Sequence, residues 1–574
     1  MIKLFKSLKP FRLYLIFVLI LLSIQSLSNL YLPKLMADII NDGIITNNTN
    51  YILNIGVIMI LVSFISVVAT ILAAFFSAKI SNKFGGNLRI RVFSKVENLA
   101  KEDFEKFGTA SLITRSINDI NQVQQVVSTF MHIMIIAPIT CIGGTIMAFY
   151  TNHQLALILI LLIPIFILVI GLVGTKSIFL FKIIQLKLDK INLILRENLM
   201  GIKIIRAFNR VDFEKERFNS TNIDLTKNLI KANKILAFLN PAMFLILDLS
   251  TVAILWLGGI KINNRTMNVG NLLAFIQYVG EIMASILMVS KIFSVYPRAL
   301  ASSERINEIL DVEPKIKDIY ISNKESSKKG YIEFKNVTFK YPGAKEPVLK
   351  KISFTSKPGE LTAIIGNTGC GKSTLVNLIP RLYDLTEGSI LIDDINIKDF
   401  SLKDLRKKIG FAPQNSVLFS GTIKDNIKYG NENATNKEIK ESAKISQATE
   451  FISTMKDGFD SFISQCGNNL SCGQKQRISI ARALVRKAEI YIFDDTFSAM
   501  DYKTSINLFE ELKKTLKDST VIFISQRINS IINADKIIVL NDGVIVGMGT
   551  HWELLNSCKI YKEIVVSQFP KGDF

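Results

Sequence analysis

Gly366-Asn367-Thr368-Gly369-Cys370-Gly371-Lys372-Ser373-Thr374 is the stretch of the chain richest in chemistry. Its GxxxxGK[ST] spacing follows the β-type run Leu361-Thr362-Ala363-Ile364-Ile365 and precedes a helical pattern, LVNLIPRLY. Glycines let backbone N–H groups close around phosphate oxygens, and a helix N-terminus adds a favourable dipole. In such a loop Lys372 reaches the β- and γ-phosphates of a nucleotide and Ser373 holds Mg²⁺. A second acidic feature closes another β-type run, Ile490-Tyr491-Ile492-Phe493, with Asp494-Asp495. An acid at the carboxyl end of such a strand belongs in the Mg²⁺ shell, and Asp494 takes that place. The implied ligands are ATP and Mg²⁺.

The elements that carry these residues come in two kinds. The chain has 574 residues, of which 49% are hydrophobic and 21% charged, with a mean hydropathy of +0.31. That is too apolar for a water-soluble protein and too charged for one wholly embedded in lipid. Five cysteines leave no room for a disulfide framework. Charge is absent from residues 13–33, 43–78 and 120–175, the last interrupted by the polar Thr151-Asn152-His153-Gln154, and two more apolar segments cover 237–260 and 267–297. A bilayer crossing needs about 20 apolar residues as a helix, so the pattern predicts a six-span α-helical domain over 1–312. The first span is too long for a cleaved signal peptide. Lys and Arg crowd 79–119 and 176–234, which the positive-inside rule places in the cytoplasm together with the N-terminus. Helical periodicity in both loops predicts that the spanning helices continue beyond the membrane. Asp248 and Glu281 fall about 18 Å and 22 Å from the outer ends of their helices, near mid-membrane. Each reads either as part of a translocation path or as a protonated packing residue. Lys291 reads as an interfacial anchor. Residues 313–330 form a polar linker. Over 331–574, YIEFKNVTF, LTAIIG, IYIFDD, STVIFIS and DKIIVLND alternate with helical runs, predicting an α/β nucleotide-binding domain on a mostly parallel sheet.

Leu470-Ser471-Cys472-Gly473-Gln474-Lys475-Gln476-Arg477, leading into ISIARAL, completes a pattern. With it, nearly the whole chain resembles an ABC exporter half-transporter of the six-helix type IV class. RENLMGIKIIRAFNRVDFEKERF at 196–218 is similar to that family's second cytoplasmic loop, and NVGNLLAF at 268–275 and ASSERINEILDVEP at 301–314 to the start and exit of its sixth helix. The resemblance implies that Tyr341 stacks on adenine and that Gln414 reports Mg²⁺ and γ-phosphate to the membrane domain. It implies that Ser498–Asp501 form the D-loop, and that helices around Asp103–Gly108 and Arg206–Phe213 couple the two domains. It further implies two nucleotide-binding domains meeting head to tail, each ATP held between one chain's phosphate loop and the other chain's Ser471, Cys472, Gly473 and Gln474. The expected partners are a second half-transporter, the lipid bilayer of the cell membrane and a small-molecule cargo. Nucleic acid is not expected, because topology already accounts for the basic loops.

Several positions depart from the family pattern. Asp495 stands where a Glu polarises the attacking water, Gln526 where a switch histidine is usual, Cys472 for the first glycine of LSGGQ, and Gln465 for the Glu of a Glu-x-Gly element. Asp495 is one methylene short, and an amide cannot become a cation. Binding groups are kept while cleavage groups change, which resembles the degenerate member of a heterodimeric multidrug exporter. A homodimeric lipid or peptide exporter with slow turnover, and an ATP-binding regulatory subunit that does not pump, are the alternatives. A thiol at position 472 either adds bulk where backbone approaches phosphate, slowing the site, or is small enough to be tolerated there.

Overall fold

In the computed structural model, residues 1–290, 292–314, 316 and 328–569 are described. Lys291 and most of the 313–330 linker lie outside them. Six helices are long and apolar enough to cross a membrane, as backbone in hydrocarbon requires, since only a helix satisfies its own N–H and C=O groups there. They comprise α1 (Arg12–Asp38), α2 (Thr49–Glu97), α3 (Ile120–Thr151), α4 (His153–Met200), α5 (Val211–Asn263) and α6 (Val269–Ser290). A seventh helix, α7 (Ile292–Leu310), follows α6. The polar break at 151–154 is a tight turn in which the Asn152 side chain accepts from the N–H groups of Gln154 and Leu155, both at 3.1 Å. The apolar run 43–78 begins before α2 and fills only the first part of its 49 residues, and 237–260 fills only part of α5, which has 53. The expected segment 267–297 divides between α6 and α7. The expected second coupling stretch, 206–213, holds the end of a short helix, Ile202–Ala207, and the first turn of α5. The first overlaps the short helix Lys101–Phe107.

By its contacts the chain forms two units, one of Met1–Asn98 with Phe107–Val312 and one of Leu99–Lys106 with Glu313–Phe574. In the first, small residues let spans approach. A Cβ on Gly144 would meet Ile282 Cγ1 at 2.9 Å, and one on Gly258 would overlap Leu272. A polar knot ties α7 to the turn before α3. Asp119 is 2% exposed and accepts from Ser302 Oγ at 2.8 Å and Arg305 Nε at 2.7 Å. Arg115 adds bonds to the Arg305 carbonyl at 2.8 Å and the Glu308 carboxylate at 2.7 Å. Residues 115–119 run as a π-helical turn, a single-turn widening that aims Asp119 inward.

The second unit holds two main sheets. β1 (Ile332–Phe339), β2 (Leu349–Ser356), β4 (Glu387–Ile392) and β5 (Ile395–Asn396) form an antiparallel sheet in the order β2-β1-β4-β5. The run YIEFKNVTF therefore belongs here rather than in the parallel sheet. Its alternating burial is that of a strand with one covered face. β3 (Leu361–Gly366), β6 (Ile409–Ala412), β7 (Ile490–Asp494), β8 (Thr520–Ile524), β9 (Lys536–Asn541) and β10 (Val544–Gly549) form the other, in the order β10-β9-β3-β8-β7-β6. All its pairings are parallel except β9 with β10. β3, β7 and β8 are buried along their whole length, as unbroken apolar runs covered on both faces must be.

Removing the Asp119 carboxylate leaves Arg305 and Ser302 without their buried acceptor. Asp119→Ala is expected to cost about 2 kcal/mol, read as a lower thermal unfolding midpoint in detergent, with Asp119→Asn losing less.

Candidate functional site

The site is assembled by strand ends. β3, β8, β7 and β6 are consecutive and parallel, with Ile364 paired to Ile524 and Ile524 to Asp494. Their carboxyl ends therefore lie along one edge. β3 delivers the loop 366–371 and then helix α8 (Lys372–Leu378), β8 delivers Gln526, β7 delivers Asp494 and Asp495, and β6 delivers Gln414. Open parallel sheets bind ligands at this edge.

Glycine is required in the loop for stated reasons. Gly371 has φ +101, and a Cβ there would meet Leu349 Cδ2 at 2.8 Å. Gly369 has φ +86 with nothing within 4 Å of its would-be Cβ, an open cradle of the kind an anion fills. Lys372 is 7% exposed, and its ammonium donates to the carbonyls of Gly366 at 2.7 Å and Asn367 at 2.8 Å. A buried cation is thus fixed at the loop, with Cys370 Sγ at 3.8 Å. The Ser373 hydroxyl donates to Asp494 Oδ1 at 2.9 Å. Burial pushes the Asp494 carboxyl above the usual carboxylate range, against the pull of Ser373. A buried carboxylate beside a hydroxyl gains from a divalent cation, so Ser373 and Asp494 fit Mg²⁺. Among the described residues no cluster of three or more His, Cys, Asp or Glu could hold a metal by itself. Thr374 Oγ1 pairs with the Tyr341 hydroxyl at 2.9 Å, and the Tyr341 ring stands edge-on to Phe339 and Tyr383 at 4.9 and 5.4 Å.

Asp495 gathers both side chains singled out beside it. Gln414 Nε2 donates to its Oδ2 at 3.4 Å and Gln526 Nε2 to the same oxygen at 3.3 Å. Asp495 has φ +49, a left-handed conformation that Asp tolerates better than most residues. Burial raises its carboxyl too, with the Gln414 bond and the charge of Lys372 opposing. Ser498 Oγ donates to the Asp495 carbonyl at 2.9 Å, and Arg527 donates to the carbonyls of Ser498 at 3.0 Å and Met500 at 3.4 Å.

Ser471–Gln474 form a separate feature. Ser471 caps α9 (Cys472–Leu484) through a reciprocal box with Gln474. Cys472 is exposed in the first turn. The tight position is Gly473, whose added Cβ would meet the Ala499 carbonyl at 2.9 Å. Among the described residues no hydrogen bond joins 471–474 to the phosphate loop. Gln465–Gly467 form a 3-10 turn with Cys466 at φ +55.

Two contributors escape sequence reasoning. Arg482 of α9 donates to the carbonyls of Val417 at 3.0 Å and Asn426 at 2.9 Å, and to Asn426 Oδ1 at 2.9 Å, binding the segment after Gln414 to the signature helix. Its signal, an Arg inside ISIARAL, was present but not selective. Buried Tyr383 accepts the Lys101 ammonium over its ring at 5.3 Å, with its hydroxyl 3.5 Å from Glu105. Nothing in the sequence ties that Tyr to Leu99–Lys106.

Comparison with known proteins agrees with this geometry. The model for "ABC transporter transmembrane region" matches residues 15–286, and that for "ABC transporter" matches 349–498. An uncharacterized ABC transporter ATP-binding protein of Mycobacterium tuberculosis is 36% identical over 572 residues, covering 98% of this chain and 97% of that protein. The uncharacterized ABC transporter ATP-binding protein YfiB of Bacillus subtilis is 38% identical over 563 residues, with 98% and 97% covered. An ATP-dependent lipid A-core flippase of Syntrophus aciditrophicus is 33% identical over 492 residues, with 85% and 81% covered. A bacterial Atm1-family ABC exporter solved with ATP bound shares the fold at a TM-score of 0.83 and 22% identity, over 99% of each chain.

Cys370 is buried, and burial pushes its thiol up, while Cys466 and Cys472 are exposed. Peptide mapping after limited alkylation near neutral pH is expected to find Cys466 and Cys472 modified first. Slower modification of Cys370 is expected to weaken nucleotide binding, and ATP to protect against it. Full nucleotide binding after complete Cys370 modification would contradict this.

Proposed function

The chain belongs to the ABC transporter family as an exporter half-transporter, a transport ATPase, and we propose that it is one half of a heterodimeric exporter whose own phosphate-loop site holds ATP but cleaves it slowly. The observation that carries this reading is the shared bond of Gln414 and Gln526 to one oxygen of Asp495. A carboxylate that must take a proton from water needs a free, correctly placed oxygen. Asp495 is a methylene shorter than Glu, and two amides hold its Oδ2, which leaves Oδ1 as the oxygen to reach water from a shortened arm. Misplacement by about 1 Å can cost about 10²-fold in rate.

In this reading Tyr341 supports adenine and the backbone from Gly366 to Gly371 wraps the phosphates. Lys372 neutralises their charge, and Thr374 steadies Tyr341. Ser373, Asp494 and Gln414 hold Mg²⁺, which supplies charge neutralisation at the β- and γ-phosphates. Gln526 can hydrogen-bond a phosphate but stays neutral. The other composite site uses the partner's phosphate loop and Ser471, Cys472, Gly473 and Gln474 of this chain. Exposure of Cys472 in helical backbone supports tolerance of the thiol there. The functional division is a membrane domain over 1–312, a linker over 313–330 and a nucleotide-binding domain over 331–574. The N-terminus and the nucleotide-binding domain face the cytoplasm of the cell, by the distribution of Lys and Arg. The cargo is small and amphipathic.

A second reading, a homodimeric lipid exporter with slow turnover, is favoured by the 33% identity to a lipid A-core flippase. The two separate on steady-state ATPase activity of the chain purified alone in lipid. The heterodimer reading expects near-zero wild-type activity, raised at least about tenfold in the Asp495→Glu, Gln526→His double variant. Brisk wild-type turnover that Lys372→Ala abolishes would make Asp495 a working residue and bring the homodimer forward.

A further inference from the structure

Within the apolar segments 237–260 and 267–297 the ionisable residues are Asp248, Glu281 and, ten positions beyond Glu281, Lys291, in a chain whose formal net charge is +20. The levels of Asp248 and Glu281 follow from one contact. Gly258 of α5 packs on Leu272 of α6. From there Asp248 lies ten residues along its helix and Glu281 nine, so the two sit about 15 and about 14 Å along the helices from that contact. Glu281 is about 18 Å from Val269 at the start of α6, close to the middle of a hydrocarbon layer about 30 Å thick.

The faces differ. Asp248 is on the exposed side of α5, opposite the buried stripe Leu239, Met243, Ser250 and Ile254. α6 buries Phe275, Tyr278, Val279, Ile282, Met283 and Ile286. Its other side carries Leu273, Gln277, Gly280, Glu281, Ala284 and Met288, exposed or half-buried. Glu281 makes no hydrogen bond or ion pair with any described residue. Next to it a Cβ on Gly280 would meet nothing within 4 Å. Gln277, one turn away, reaches only the Met36 sulfur, at 3.2 Å. A carboxylate and an amide at this depth cannot face lipid tails without large cost. A wetted cavity or a ligand removes that cost, as protonation of the carboxylate does for Glu281 alone.

We propose that the open stripe of α6 lines the cargo path and that Glu281 selects a lipophilic monocation. This rests on the exporter reading and narrows its cargo. The carboxylate is the counter-charge; Gln277 offers a polar neighbour; Gly280 and Ala284 leave room; Leu273 and Met288 supply apolar contact. An anionic cargo meets repulsion at the same point.

The test uses an isosteric pair of opposite charge, tetraphenylphosphonium and tetraphenylborate. The tagged full-length chain is purified from its own cells together with its second half and placed in nanodiscs. Saturable binding is corrected for empty nanodiscs and read as the ratio of variant to wild type, which cancels the unequal partitioning of the two ions. Glu281→Gln is expected to weaken tetraphenylphosphonium binding about tenfold. Glu281→Asp is expected to keep it within about threefold, and tetraphenylborate binding is not weakened by either. Unchanged phosphonium affinity in Glu281→Gln, equal loss of both probes, or no saturable phosphonium binding by wild type overturns the proposal. Trinitrophenyl-ATP binding on the same preparations, with Lys372→Ala as control, reads the nucleotide site independently. Nucleotide binding that survives while cation selectivity is missing rejects the cargo assignment and leaves the exporter reading standing.

Discussion

Parallel pairing of four strands is what the nucleotide chemistry hangs on. β3, β8, β7 and β6 are hydrogen-bonded side by side in one direction, so residues more than a hundred positions apart emerge at one edge. The phosphate loop needs β3 to launch it, and Asp494 needs β7 to end where Ser373 can reach it. Gln414 and Gln526 leave neighbouring strands and converge on Asp495 from either side. A register slip of one residue in β7 would turn Asp494 to the other face of the sheet. The buried apolar runs that hold register are therefore as much a part of the site as the residues that touch phosphate.

Much of this was legible in the sequence, because it is written locally. A glycine-rich loop between a β-type run and a helical run identifies itself, as do apolar stretches long enough to span lipid. The boundaries of α2 and α5 were not legible, since a helix that leaves the membrane continues as a charged, solvated rod with no hydrophobic edge to mark its end. Assigning Ile332–Phe339 to the parallel sheet failed for another reason. Its alternation defines a strand but not its neighbours. The double engagement of Asp495 spans 81 residues on one side and 31 on the other and depends on strand order, which composition does not encode. Arg482 is similar. Its bonds to Val417 and Asn426 follow from how α9 packs, not from its place in the motif.

The departures from the family pattern read differently once placed. Asp495 and Gln526 are bonded to each other, so their replacement is one change in one small network rather than two scattered losses. Cys472 is exposed in the first turn of α9, and the close position beside it is Gly473, under the Ala499 carbonyl. The segment after Gln414 and the signature helix are held to one another by the three bonds of a single side chain, Arg482.

The two longest helices have a mechanical consequence. α2 and α5 are continuous over 49 and 53 residues, or about 73 and 80 Å. A rod of that length acts as a lever: a tilt of about 5° about one end displaces the other by about 6 to 7 Å. No backbone hydrogen bond need break for this to happen. Helical backbone runs from the apolar part of each helix into its polar extension, with the i to i−4 ladder missing one donor at Pro241 of α5, so the rod is stiff where a loop would be slack. Angular play too small to disturb the packing around Gly144 or Gly258 at one level becomes ångströms of travel at the far tip.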